Sequence, residues 1–107
     1  MSKSSYIIAL STFSTKKQAE KASKILIKEG LAACVNIIDR VNSIYRWEDK
    51  IVSEKEILIL IKTLSSNREK IKKFIKDHHT YENPELIFIS VDDGLKKYLK
   101  WIEKEVK

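Results

Sequence analysis

The apolar segment EILILIKTL at residues 56–64 constrains the fold more than any other part of the chain. Positions 57–61 hold only isoleucine and leucine, and such a run is typical of a β-strand that is covered on both faces. Because successive side chains of a strand point to opposite faces, three isoleucines share one face: Ile57, Ile59 and Ile61. A chain of 107 residues has room for one core. We therefore expect a single domain over residues 1–107 in which another subunit covers the face of these isoleucines.

Hydrophobic periodicity and turn residues divide the rest of the chain into strands and helices. Strands are predicted at residues 5–12, 31–47 (bent near Asp39-Arg40), 56–64 and 85–91. Two capping boxes, Thr15 with Gln18 and Ser66 with Glu69, start the first two helices, and a third helix follows Asp92-Asp93. The order is β-α-β-β-α-β with an additional C-terminal helix. This order predicts the α+β class and a ferredoxin-like antiparallel sheet with its helices on one face.

The net charge of +6 suggests nucleic-acid binding, but the placement of the charges favours another explanation. Most of the lysines alternate with apolar residues along the predicted helices, as expected for solvated helix faces. The apolar strand at 56–64 also lacks the aromatic residues on which RNA bases stack. We therefore expect no nucleic-acid partner.

The amino-terminal apolar run at residues 6–10 is too short for the apolar region of a secretory signal. No apolar stretch of the sequence is long enough to form a membrane span. Cys34 is the single cysteine, so an intramolecular disulfide is impossible. We expect a cytoplasmic protein without a membrane span.

The segment HHTYENPE at residues 78–85 contains a candidate metal site. Neutral imidazole is a good ligand for copper or zinc, so His78 and His79 could bind an ion with oxygen from Glu82 or Glu85. The alternative is structural, because histidines at the end of a helix also stabilise its dipole. Both interpretations stay open on the residues alone.

Acid–base chemistry is a third interpretation of the same segment. His79, Tyr81 and Glu82 could transfer protons, but no nucleophile is spaced for a recognisable triad. The chain also has no glycine-rich loop that could hold a phosphate or a dinucleotide. We therefore expect that the protein is not an enzyme.

Several motifs together resemble the CutA divalent-cation tolerance proteins: LAACVNII, SIYRWEDKI, LILIKT, HHTYENPELI and KKYLKWI. They occur in the expected order between about residue 6 and residue 103. The resemblance implies a ferredoxin-like fold assembled as a homotrimer, with an architecture related to the PII signal-transduction proteins. It also implies an association with copper and divalent-cation tolerance, without an established catalytic reaction.

The resemblance also implies candidate ligand residues. It points to a cleft between subunits in which Trp47, Lys62, Tyr81 and Glu82 gather, whereas a plain strand end is the alternative for Trp47. The implied cofactor is copper or another divalent cation, weakly bound, because Ser11 stands where some relatives carry a cysteine. A PII-like sensor that binds a small anionic effector in such clefts is the alternative function.

Overall fold

The computed structural model describes residues 5–107. The strands are β1 (Tyr6–Phe13), β2 (Cys34–Trp47), β3 (Lys50–Leu64) and β4 (Ile87–Ser90). The helices are α1 (Lys16–Lys28), α2 (Arg68–His78), which follows a 3₁₀ turn at Ser65–Asn67, and α3 (Lys96–Glu105). All strand pairs are antiparallel, and the sheet order is β2-β3-β1-β4. The predicted order of elements and the α+β class are confirmed.

The first predicted helix cap forms and the second does not. Thr15 accepts the Gln18 backbone N–H at 3.2 Å, as an N-cap residue does. Gly30, with a φ of 73°, follows the end of α1, where glycine is the preferred residue. The N-cap of α2 is Asn67, which makes no capping bond, so the predicted box of Ser66 and Glu69 is wrong. The buried amide of Asn67 instead donates to the Leu31 carbonyl at 3.2 Å, which ties the start of α2 to the loop after α1.

The apolar strand β3 presents its isoleucines to the helices. Ile57, Ile59 and Ile61 are each at most 7% exposed and belong to a core formed with β1, α1 and α2. The prediction that another subunit covers this face is therefore wrong. A run that is apolar at every position contains no alternation from which the two faces can be told apart.

The opposite face of the sheet is only partly covered. It carries Leu58 and Leu60 of β3, both half-buried, and more exposed isoleucines from the edge strands: Ile38, Ile87 and Ile89. The helix α3 packs over one end of this face, where the Lys62 ammonium lies 5.6 Å from the Tyr98 ring centroid. The prediction that all helices share one face is wrong for α3.

Beyond the sheet, β2 and β3 continue as a two-stranded arm. Residues 41–47 pair with residues 50–56, whereas the pairing of β1 with β3 stops at Phe13 and Ile57. The register shifts between Ile38 and Val41, and Arg40 has a φ of 61°. This bulge forms the bend predicted at Asp39-Arg40. The arm reverses at Glu48-Asp49, where both residues have positive φ, as in the tight turns of hairpins.

Within residues 5–107, no helix is long and apolar enough to cross a membrane. Residues 1–4 lie outside the described residues. They belong both to the predicted domain and to the amino-terminal segment that was assessed as a secretory signal.

Candidate functional site

A cavity of about 410 Å³ lies between the two-stranded arm and the loop that joins α2 to β4. Four glutamates and three aromatic residues contribute to its lining: Glu54, Glu56, Glu82, Glu85, Tyr45, Trp47 and Tyr81. Among residues 5–107, no lysine or arginine belongs to this lining, although the chain has a net charge of +6. Among residues 5–107, two ion pairs are found. Both lie on α2, and none of their residues lines the cavity. We call this hollow the acidic cavity.

Strand alternation explains how the arm supplies half of the lining. In the register of the arm, Tyr45 is opposite Val52, and Ser43 is opposite Glu54. Residues two positions apart on one strand share a face. Tyr45 and Trp47 therefore lie on the same face of the arm as Glu54 and Glu56. The loop at residues 81–85 supplies most of the rest.

Two tyrosine–glutamate pairs organise the cavity. The Tyr81 hydroxyl donates to Glu56 Oε2 at 2.7 Å, and Glu56 is only 7% exposed. Burial, together with this hydrogen bond, raises the pKa of Tyr81 well above its ordinary value. A hydrogen bond to Glu54 likewise raises the pKa of Tyr45. Both phenols therefore remain protonated at neutral pH, and the Tyr81 hydroxyl holds the Glu56 carboxylate by its hydrogen bond.

Glu85 experiences the charge of a neighbouring carboxylate. Burial raises the pKa of Glu85, and the negative charge of Glu56 raises it further. No cation in the described lining offsets this repulsion. The acidic cavity is therefore suited to attract a positively charged species.

His79 has a structural position in the loop. Its Nε2–H donates to the Thr12 carbonyl at 2.7 Å, and its Nδ1 accepts the Tyr81 backbone N–H at 3.1 Å. Since Nδ1 accepts a hydrogen bond, the ring is the neutral tautomer protonated on Nε2. The ring also stacks on Phe13 with centroids 4.3 Å apart. His79 thereby fastens the loop that carries Tyr81 to the end of β1.

His78 points elsewhere. Its Nδ1 lies 3.0 Å from the Phe74 carbonyl, and its ring stacks on Phe74 and lines a smaller hollow beside α1. The structure therefore does not turn the two predicted metal ligands towards one point. Over the described part of the chain, no group of three or more His, Cys, Asp or Glu residues has an arrangement that could hold a metal ion. Metal binding by His78 and His79 stays a prediction, and coordination by His79 requires the loss of one of its hydrogen bonds.

Three of the four predicted cleft residues come together within one protomer, and the cleft between subunits stays a prediction. Trp47, Tyr81 and Glu82 line the acidic cavity together, whereas Lys62 lies on the open face of the sheet beneath Tyr98. Sequence reasoning missed Glu54 and Glu56. The signal that could have found them is their spacing across the Glu48-Asp49 turn, which places them on the face that carries Trp47.

Comparison with known proteins identifies the family to which this chain belongs. The family described as CutA1 divalent ion tolerance protein matches residues 7–105. The chain is 42% identical over 101 residues to the divalent-cation tolerance protein CutA of Pyrococcus horikoshii, covering 94% of this chain and 98% of the relative. It is 36% identical over 97 residues to the CutA of Thermus thermophilus, covering 91% and 94%.

Solved structures agree with this class. The crystal structure of CutA1 from Oryza sativa superposes with a TM-score of 0.94 at 32% identity, covering 98% of this chain and 96% of that one. The chain belongs to the CutA1 divalent ion tolerance family, which confirms the resemblance of its motifs.

Proposed function

We propose that the chain contributes to divalent-cation tolerance by binding a hydrated divalent cation weakly in the acidic cavity. The observation that carries this proposal is the lining itself, which contains four glutamates and no lysine or arginine from residues 5–107. Burial raises the pKa of Glu85 and the charge of Glu56 raises it further, and a dication reduces this repulsion between the two carboxylates. The names of the relatives supply the type of ion.

The donor set of the cavity favours hard ions over copper. Carboxylate oxygens suit Mg²⁺, Ca²⁺ and Mn²⁺, whereas copper prefers imidazole or sulfur. The sulfur of Cys34 lies on β2 opposite Lys62 and does not line the cavity. Since the described carboxylates do not converge as a preformed ligand cluster, the ion keeps most of its water. We expect a dissociation constant on the order of 10⁻⁴–10⁻³ M, as for weak carboxylate sites.

We further propose that the functional unit is a homotrimer, as the resemblance implies. Support comes from the uncovered face of the sheet, where Ile38, Ile87 and Ile89 are 43%, 51% and 48% exposed. A contiguous apolar surface of this kind is typical of a protein–protein interface. The acidic lining does not favour the alternative of an anionic effector, because every charged side chain described in the lining is negative.

The test is a titration with Mn²⁺, followed by the loss of its free electron-paramagnetic resonance signal. The variant Glu54→Gln/Glu82→Gln removes two cavity charges, and the control Glu20→Gln/Glu29→Gln removes two exposed charges from the region of α1. We expect the cavity variant to bind about tenfold more weakly and the control to bind as the parent does. Equal binding by the cavity variant and the parent would overturn the proposal.

A copper titration separates the two possible locations. If His78→Ala/His79→Ala abolishes copper binding while the cavity variant retains it, the histidines are the metal ligands. The cavity is then not the copper site, and the Mn²⁺ titration decides separately whether it binds a hard ion.

A further inference from the structure

We propose that the acidic cavity also takes an organic dication, a di- or polyamine, whose methylene chain lies against aromatic rings while its ammonium groups meet carboxylates. The inference rests on the cavity of the proposed function and on its carboxylates, and it adds the aromatic part of the lining, which a hydrated metal ion does not use. It therefore names a second class of ligand.

The aromatic part of the lining is the first observation. Tyr45 and Trp47 remain 37% and 49% exposed in the protomer, although both are large apolar side chains. Tyr81 completes the aromatic lining. Ring faces attract ammonium groups electrostatically and pack against methylene groups, whereas a metal ion inside its water shell makes neither contact.

The carboxylates are placed to complement these rings. The Tyr81 hydroxyl is bonded to Glu56, and Tyr45 shares the cavity-facing side of the arm with Glu54, so aromatic and negative groups lie side by side in the lining. A bond from a tyrosine occupies one acceptor site and leaves the carboxylate able to accept from an ammonium. Glu82 and Glu85 supply further negative charge from the loop.

Size and charge limit the ligand. The volume of about 410 Å³ is in the usual range of small-molecule sites. A single ammonium neutralises only one of four glutamates, so a ligand with two or more positive charges fits the lining better. An anion meets no basic side chain in the part of the lining that the structure describes.

The experiment uses 1,4-diaminobutane as the probe and 1,4-butanediol as its neutral counterpart. Calorimetry on the full chain is expected to show binding of the diamine and none of the diol. Trp47→Leu removes a ring from the cavity, and Trp101→Leu is the matched control on α3, where the indole is similarly exposed at 41%. We expect the first variant to bind the diamine about tenfold more weakly and the second to bind it as the parent does.

A parallel Mn²⁺ titration separates this inference from the proposed function. Glu54→Gln/Glu82→Gln is expected to weaken both ligands, whereas Trp47→Leu is expected to weaken only the diamine. Binding of Mn²⁺ without the diamine overturns the inference and leaves the proposed function intact. Binding of the diamine without Mn²⁺ overturns the proposed function alone.

Equal affinity of the diamine for parent and Trp47→Leu also overturns the inference, since the ring then has no part in binding. Circular dichroism of each variant shows that its fold is retained.

Discussion

The two faces of the sheet have similar apolar side chains, but helices bury one face far more completely than the other. On the helix-covered face, Ile7, Ile59 and Ile61 are at most 1% exposed, whereas Ile87 and Ile89 on the opposite face are 51% and 48% exposed. Both faces carry branched apolar side chains, so both are built for burial. One protomer therefore buries only one of the two apolar faces of its sheet.

The cover on the first face depends on small residues of α1. Ala19 and Ala22 are buried against the sheet, and the buried Ser23 hydroxyl donates to the Ala19 carbonyl at 2.7 Å. These residues let the helix lie close to the sheet, so the core beneath it is closely packed. On the second face, α3 covers only the end near Lys62.

The largest effect is expected on the covered face. Ile59→Ala removes a fully buried side chain beneath the helices. The free energy of unfolding should fall by about 2–5 kcal/mol, because the lost transfer energy adds to the cost of the cavity. Chemical denaturation measures this change. A loss below about 1 kcal/mol would show that this face is not a closely packed core.

A change on the open face should separate assembly from folding. Ile87→Lys/Ile89→Lys places two charges on the surface that we assign to other subunits. We expect a folded protomer that no longer assembles, because a buried unpaired charge is costly whereas an exposed lysine is not. Light scattering with circular dichroism measures both properties.

The matched control for that variant is Ile27→Lys, which replaces an exposed isoleucine on α1. It should leave the assembly unchanged. Dissociation of the control, or a trimer of unchanged mass in the double variant, would place the interface elsewhere.

A smaller effect is expected for His79→Ala. Removing the ring leaves the Thr12 carbonyl and the Tyr81 N–H without their partners, which should cost about 1–3 kcal/mol of unfolding free energy. His78→Ala, which loses a hydrogen bond and a ring contact that both lie within α2, should cost less. Thermal unfolding in the presence of a chelator compares the two. Equal losses would mean that His79 does not fasten the loop to β1.

The smallest effect concerns pH and Glu85. Its pKa is raised in the folded state, so the folded protein binds this proton more tightly than the unfolded chain. Ionisation therefore destabilises the fold as the pH rises through the folded pKa, and the penalty is absent below the ordinary value of 4.5. Glu85→Gln should stabilise the protein at neutral pH by less than about 1 kcal/mol, since solvent screens the charge.

The gain from Glu85→Gln should vanish in acid, at about pH 3.5, where the carboxyl is protonated in both states. Unfolding free energies of parent and variant at neutral and acid pH measure it. A gain that persists in acid would show that the carboxylate charge is not its cause.

Much of the fold follows from local sequence signals. The cap at Thr15 and the bend at Asp39-Arg40 each depend on residues close in the chain, and both occur as predicted. The cap at Ser66 failed because Asn67 is held by Leu31, a contact that no local pattern records. Tertiary contacts override such local preferences.

The candidate site was predictable only where its residues lie in conspicuous motifs. Trp47, Tyr81 and Glu82 stand in such motifs and do line one cavity. Glu56 escaped notice because its role depends on a hydrogen bond to Tyr81, 25 positions away in the chain. The spacing of Glu56 and Tyr81 in the sequence does not show that their side chains are in contact, because that contact depends on the register of the arm.

This interpretation of the molecule depends on whether further copies of the chain cover the open face of the sheet. Native mass spectrometry of the unaltered protein at micromolar concentration tests this most directly. We predict a single species of three chains, held by the face that carries Ile38, Ile87 and Ile89. A monomer as the main species would contradict this prediction, because the open apolar face would then remain in water.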